Sequence, residues 1–271
     1  MTVSLTWRLA RVPMMALLAG SLLATGCSTT DKDDLSASNA EKLYKQARED
    51  MDSGSYERAI KTLERVEGLA AGSLLAQQAL LDMAYLNWRS GEKATALTTV
   101  DRFIKLNPSS PALDYALYLK GVINFNDSLG LLGSVFGQDL AERDQRAARD
   151  AYQAFKQLAD QFPNSRYTPD GRQRMGFIVN SLATYEVHVA RYYFRRGAYV
   201  AAAARAQQAV AEFQQSPAIE ESLYILMESY DKLALNELRD DAGRVLRKNF
   251  PNSAYLTKGL AVRDKPWWKF W

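Results

Sequence analysis

A near-repeat at the start of the chain restricts what it can fold into more than any other feature. Glu41-Lys-Leu-Tyr-Lys-Gln-Ala47 is followed by Gly54-Ser-Tyr-Glu-Arg-Ala59. Leu81-Asp-Met-Ala84-Tyr-Leu-Asn-Trp88 is followed in the same way by Gly91-Glu-Lys-Ala-Thr-Ala96. In each copy two alanines stand 12 positions apart with a glycine between them, and the second copy lies 37 residues after the first. Self-similarity at this period marks a stacked helix-turn-helix array of the tetratricopeptide kind. The physical reason is close approach. Two antiparallel helices pack tightly where small side chains meet, and glycine supplies the turn between them. The expected fold is therefore all-α, an α-solenoid of about five such repeats and about ten helices. Arrays of this kind present extended surfaces to other polypeptides.

The helix stop Leu106-Asn-Pro-Ser-Ser-Pro111 closes the second unit, and similar endings recur. Phe162-Pro-Asn-Ser-Arg-Tyr167 and Phe250-Pro-Asn-Ser-Ala-Tyr255 are close copies, and Phe213-Gln-Gln-Ser-Pro217 is a looser one. They divide the chain into repeats 1–2 over 39–110, repeat 3 over 111–165, repeats 4–5 over 166–255 and a tail over 256–271. Ser38 or Asn39 is the expected N-cap of the first helix. In repeat 3, Gly121 takes the place of the packing alanine. The turn there is replaced by an apolar, glycine-rich insertion over 127–140, with Leu129, Leu131, Leu132, Val135 and Phe136. Such a segment folds back on the array or meets a partner. From Ala141 to Phe162, apolar residues at spacings of 3 and 4 predict an amphipathic helix. A long helix is expected over 167–196, with a possible break near Ser181. The last five residues, Trp267 to Trp271, hold four aromatics. A bilayer interface, the last helices and a partner protein all remain open as their destination.

Residues 1–26 read as a secretory signal. Arg8 and Arg11 precede an apolar run from Val12 to Ala24 that is too short to span a bilayer. The only cysteine, Cys27, follows at once. Leu22-Leu-Ala-Thr-Gly-Cys27 looks like a bacterial lipobox, although Ala24 stands where leucine is usual. Lipidation of Cys27 is therefore expected, with 27–38 as a flexible tether, and several acyl chains would hold the protein at a membrane surface. Ser28 after the cysteine implies the outer membrane, by similarity to sorted lipoproteins. The signal carries two arginines and no acid, so its removal takes the formal charge from +3 to +1. That balance gives no reason to expect a nucleic-acid partner.

Nothing in the sequence points to catalysis. The chain has one histidine, His188, and one cysteine, too few for a zinc site or a cysteine–histidine pair. It lacks the common nucleophile and phosphate-binding motifs. Acidic pairs such as Glu220-Glu221 are expected to cap or solvate helix ends. The chain is expected not to be an enzyme and to need no cofactor beyond the lipid on Cys27.

The lipobox, the five units and the insertion together resemble the BamD, or ComL-type, family of lipoproteins of the β-barrel assembly machinery. The most specific segments are Ile104-Lys-Leu-Asn-Pro108, Val135-Phe-Gly-Gln-Asp139, Phe162 to Tyr167 and Arg195-Arg-Gly-Ala-Tyr199. The aromatic tail has no counterpart in the family's shared core. The resemblance implies a non-enzymatic, lipid-anchored scaffold on the periplasmic side of the outer membrane. It would bind the barrel-forming subunit and accessory lipoproteins, and recruit unfolded outer-membrane proteins. Substrate recognition would fall to the N-terminal repeats and docking to the C-terminal ones.

In the repeat family the first helix of each unit lines the inner face. With Ala47, Ala84 and Gly121 as packing positions, that face holds Tyr44, Arg48 and Met51, then Gln78, Leu81, Tyr85 and Trp88. In repeat 3 it holds Tyr115, Tyr118, Val122 and Phe125. Aromatics with a polar handle suit the aromatic-ended, extended C-terminal segments of barrel proteins, although some of these side chains could instead be core. By resemblance, Arg196, before the Gly197 turn, and Phe136 and Gly137, in the insertion, are candidate contacts to the barrel-forming subunit. Arg196 could equally serve the dipole of its own helix. A rival reading is a structural repeat lipoprotein tied to peptidoglycan or cell division.

Overall fold

The fold follows from short helices broken at fixed places. A computed structural model describes residues 30–125 and 145–260, which form eleven helices and no strand among the described residues. They divide into two compact units, one ending at Gly91 and one beginning at Glu92. The signal segment, Cys27, the 127–140 insertion with Phe136 and Gly137, and the aromatic tail after Leu260 all lie outside the described residues.

The first unit contains α1 (Thr30–Asp52), α2 (Tyr56–Leu69) and α3 (Leu74–Arg89). Helices joined by such short turns and packed along their lengths run antiparallel. The repeat signature has the role expected of it. Ala47, Ala59 and Ala84 have no exposed surface, and Leu63 and Val66 complete the stripe that α2 buries. Gly54 turns the chain with φ +77°, a conformation that costs a side-chain-bearing residue about 1 kcal/mol or more. Ser73 caps α3 by accepting from the Ala76 amide. One boundary differs from the sequence expectation. Helix α1 begins at Thr30, not near Asn39, so most of the presumed tether is helical.

The second unit contains α4 (Lys93–Leu106), α5 (Leu113–Asn124), α6 (Gln145–Gln161), α7 (Thr168–Arg195), α8 (Tyr199–Glu212), α9 (Ile219–Lys232), α10 (Asn236–Asn249) and the single turn α11 (Tyr255–Lys258). Neighbours in sequence pack on one another from α4 through α10. Ala96, Ala190 and Ala202 are again fully buried. Helix α7 runs unbroken through Ser181 for 28 residues, with Pro169 in its first turn as expected and no proline beyond it. Gly197 turns the chain into α8 with φ +75°, whereas in the last pair Ala234 adopts φ +57° without help from glycine.

The recurrent endings have a common cause. Each bears a serine that joins its turn to the next helix. Ser216 and Ser253 are buried, and their amides bond back to the carbonyls of Phe213 and Phe250 at 2.9 and 3.0 Å. Ser165 does the same to Phe162, accepts from the Tyr167 amide at 3.2 Å and donates to Asp114 at 2.6 Å. The Ser165 hydroxyl thus links the start of α7 to Asp114 in the first turn of α5.

Candidate functional site

In the first unit the residues assigned to the inner face gather on α1 and α3 around a carboxylate that the face assignment passes over. The Tyr44 hydroxyl donates to Asp82 Oδ2 at 2.8 Å, and the Gln78 amide donates to Asp82 Oδ1 at 2.9 Å. Asp82 is only 7% exposed. Burial pushes its carboxyl above the usual range, against the opposing effects of the Tyr44 and Gln78 hydrogen bonds and the Arg48 charge. The same burial, with Asp82 as neighbour, raises the Tyr44 phenol. The signal for Asp82 was present in the sequence. It is the one acid in the apolar run Leu80–Ala84, and such a residue needs buried partners.

A carboxyl raised by folding stabilises the fold below its unfolded value, near 4, and loses that contribution as pH rises through the higher folded value. Asp82→Asn keeps an acceptor for Tyr44 and removes the charge. Its stability relative to the unmodified chain is expected to grow from pH 4 to pH 7, read from urea midpoints. A difference that stays constant with pH would show that Asp82 has no raised titration.

One turn further along α3, Tyr85 and Trp88 form a half-exposed pair with centroids 5.9 Å apart. The Arg89 guanidinium lies over the Tyr85 ring at 6.0 Å. Met51 is half-buried, and Arg48 and Gln78 are exposed. Leu81 does not belong to this face. It is 1% exposed and forms part of the core, because the middle of α3, Leu80–Ala84, is buried on every side, whereas Gln78, Tyr85 and Trp88 on the same stripe lie before and after that stretch.

The second unit carries its own aromatic face, on α5 and α7. Tyr118 stacks on Tyr167 at 5.0 Å, and Tyr115 packs against the same ring at 5.4 Å. The Tyr118 hydroxyl donates to Asp170 Oδ2 at 2.9 Å, and Arg174 holds that oxygen from one turn later at 2.7 Å. Burial, followed by the bond to Asp170, raises the Tyr118 phenol. Arg174 also covers Phe125, with 4.9 Å from guanidinium to centroid. Phe125 meets the edge of Phe177, which is 46% exposed. Val122 is partly buried against the core. Spacing from Gly121 found Tyr115, Tyr118 and Phe125. It missed Tyr167, Asp170, Arg174 and Phe177, which lie in the N-terminal part of the long α7, far ahead of its packing alanine Ala190.

Arg196 ends α7 as its C-cap, is exposed, and stacks over Tyr192 at 5.2 Å. Glu221 departs from the expectation for acidic pairs. It is buried in the first turn of α9, where Arg191 and Tyr255 hold it. Among the described residues no group of three or more histidine, cysteine or acidic side chains could hold a metal. The arrangement offers stacking faces and hydrogen-bonding rims, the means of gripping a chain.

The sequence profile of the YfiO family, described as outer membrane lipoprotein, matches residues 36–246. The chain is 43% identical over 256 residues to the outer membrane protein assembly factor BamD of Neisseria meningitidis serogroup A, covering 94% of this chain and 96% of that one. The serogroup B counterpart is 44% identical over the same shares. The BamD of Haemophilus influenzae is 33% identical over 239 residues, 88% of this chain and 91% of that one.

Proposed function

The chain belongs to the BamD family of outer-membrane lipoproteins, and from that membership we propose that it is a non-catalytic scaffold holding unfolded barrel proteins for the assembly machinery. Its role lies in outer-membrane protein assembly, as its relatives' names state. The peptidoglycan reading finds no support among them. In this proposal Cys27 carries the lipid and the repeats face the periplasm, attached to the inner leaflet of the outer membrane. Arg196, with Phe136 and Gly137, contacts the barrel-forming subunit, and accessory lipoproteins bind elsewhere on the chain. Loss of that subunit on co-purification of Arg196→Glu supports the contact, and an intact complex removes it.

The observation that carries the substrate reading is the half-exposed Tyr85–Trp88 pair beside exposed Arg48 and Gln78. Rings of this kind offer large apolar area with little side-chain entropy to lose, and an aromatic peptide end can stack on them. Tyr85→Ala/Trp88→Ala is expected to weaken binding of a peptide copying the C-terminal strand of an outer-membrane β-barrel. Two lost aromatic contacts of about 1 kcal/mol each correspond to roughly thirtyfold. Affinity within twofold of the unmodified chain in a fluorescence titration would remove this pair from the site.

A further inference from the structure

Helices α4, α5 and α6 of the second unit enclose a cleft of about 600 Å³ that the aromatic faces do not use. One wall is a row of carboxamides. Gln153, Gln157 and Gln161 stand at successive i, i+4 positions of α6, and all three are exposed. Asn124 at the end of α5 lines the same cleft. It is 6% exposed. Carboxamides on the lining of a cleft can both donate to and accept from a ligand.

We propose that this cleft binds an extended polypeptide by its backbone, a deepening that rests on the reading of the chain as a receiver of unfolded barrel proteins. The spacing is the first reason. Side chains four apart on a helix repeat every ~6 Å. In a β-strand, backbone groups facing one side repeat every two residues, about 6.7 Å. Along the axis, the two steps from Gln153 to Gln161 accumulate a mismatch of about 1.4 Å. Chemistry is the second reason. A carboxamide both donates and accepts, as a peptide group does, so each glutamine can pair with one residue whatever its side chain. Charge is the third. Lys120 is paired with Asp101 at 2.7 Å and Lys156 with Asp160 at 2.6 Å, and Asp150 is a further acid on the lining. A nearly balanced, slightly acidic cleft suits a neutral backbone better than a phosphate or another anion.

The test uses the mature full chain and a twelve-residue peptide copying the C-terminal strand of an outer-membrane β-barrel, with an analogue N-methylated at alternate residues. Gln153→Ala/Gln157→Ala/Gln161→Ala is expected to weaken the unmodified peptide about tenfold or more, as loss of several neutral hydrogen bonds should. N-methylation should weaken binding to the unsubstituted chain comparably, and to the triple variant far less. The glutamines are exposed, and circular dichroism checks that the variant keeps its helices. Affinity of the triple variant within twofold of the unsubstituted chain overturns the cleft. If Tyr85→Ala/Trp88→Ala then still loses the peptide, the proposed function stands without it. No binding to the unsubstituted chain sinks both. Gln157→p-benzoylphenylalanine should crosslink to the peptide on irradiation. Crosslinking only to the chain's own residues 126–144 would name a different occupant and overturn the proposal.

Discussion

Gly121→Ala is expected to destabilise the second unit by about 1–3 kcal/mol, from the smallest side chain that could be added. An ideal Cβ at Gly121 would lie 2.4 Å from Cε1 of Phe155 and 2.7 Å from its Cζ. Real Cβ atoms do not approach a ring so closely, so either the ring or the helix must move. The ring has nowhere to go. Phe155 is fully buried, with Tyr118 at 6.1 Å and Phe125 at 6.4 Å between centroids. Gly171 leaves room for the same side chain from α7, where a Cβ would stand 3.4 Å from its Cδ1. The cost should show as a lower urea midpoint. Phe155→Leu alone costs stability through the lost ring, yet combined with Gly121→Ala it should cost less than the two changes added, because the added methyl occupies vacated space. Strict additivity would show that the two residues do not compete for one volume. The expected functional consequence is local. Tyr118 and Phe125 are seated on Phe155, so the aromatic face should loosen with the core that carries it.

The same pair shows what the sequence could convey and where it stopped. Alanines 12 apart with a glycine between them announced helix pairs, and Gly121 was legible as a third packing position from its place 37 residues after Ala84. Its partner was not legible. Phe155 reaches Gly121 across the 127–140 insertion, and no periodicity survives a break of that kind. The inner face was partly readable for a related reason. Helical phase gives the direction of a side chain but not which stretch of the helix is covered all round. Tyr44, Tyr85 and Trp88 therefore emerged half-exposed, while Leu81, three residues before its packing alanine, fell inside the core. Polar partners across helices were the least accessible. Asp82 with Tyr44 and Asp170 with Tyr118 lie 38 and 52 residues apart, and only the fold brings them together. Helix α1 extended beyond expectation because a run of acids reads as solvated tether and as helix N-terminus equally well.

Glu221→Ala is expected to be the most damaging polar change, at about 3–5 kcal/mol, because it strands a cation rather than merely removing a contact. Arg191 on α7 meets Glu221 Oε1 through both Nε and Nη2 at 2.5 Å, and their side chains are 14% and 5% exposed. The other carboxylate oxygen accepts from Tyr255 at 2.9 Å, and Tyr255 stacks on Tyr224 at 5.7 Å. One carboxylate therefore ties α7, α9 and α11 together at the end of the second unit. Its place in the first turn of α9 adds the attraction of the helix dipole. Without it, the Arg191 guanidinium would lose its carboxylate while still buried, and Tyr255 would lose its acceptor. The bond to Glu221 anchors the one buried side chain of α11, so the amide hydrogens of α11 should exchange faster once it is lost. Exchange unchanged in α11 would show that apolar contacts of Leu256 and Leu260 suffice there. The test of cause is the pair Arg191→Met/Glu221→Leu. Two apolar side chains of similar volume need no mutual charge, and the desolvation cost of the ion pair disappears with it. The double variant should recover most of the stability lost by Glu221→Ala. If it is as unstable as that single change, packing volume at the α7–α9 contact, and not the unpaired cation, sets the cost.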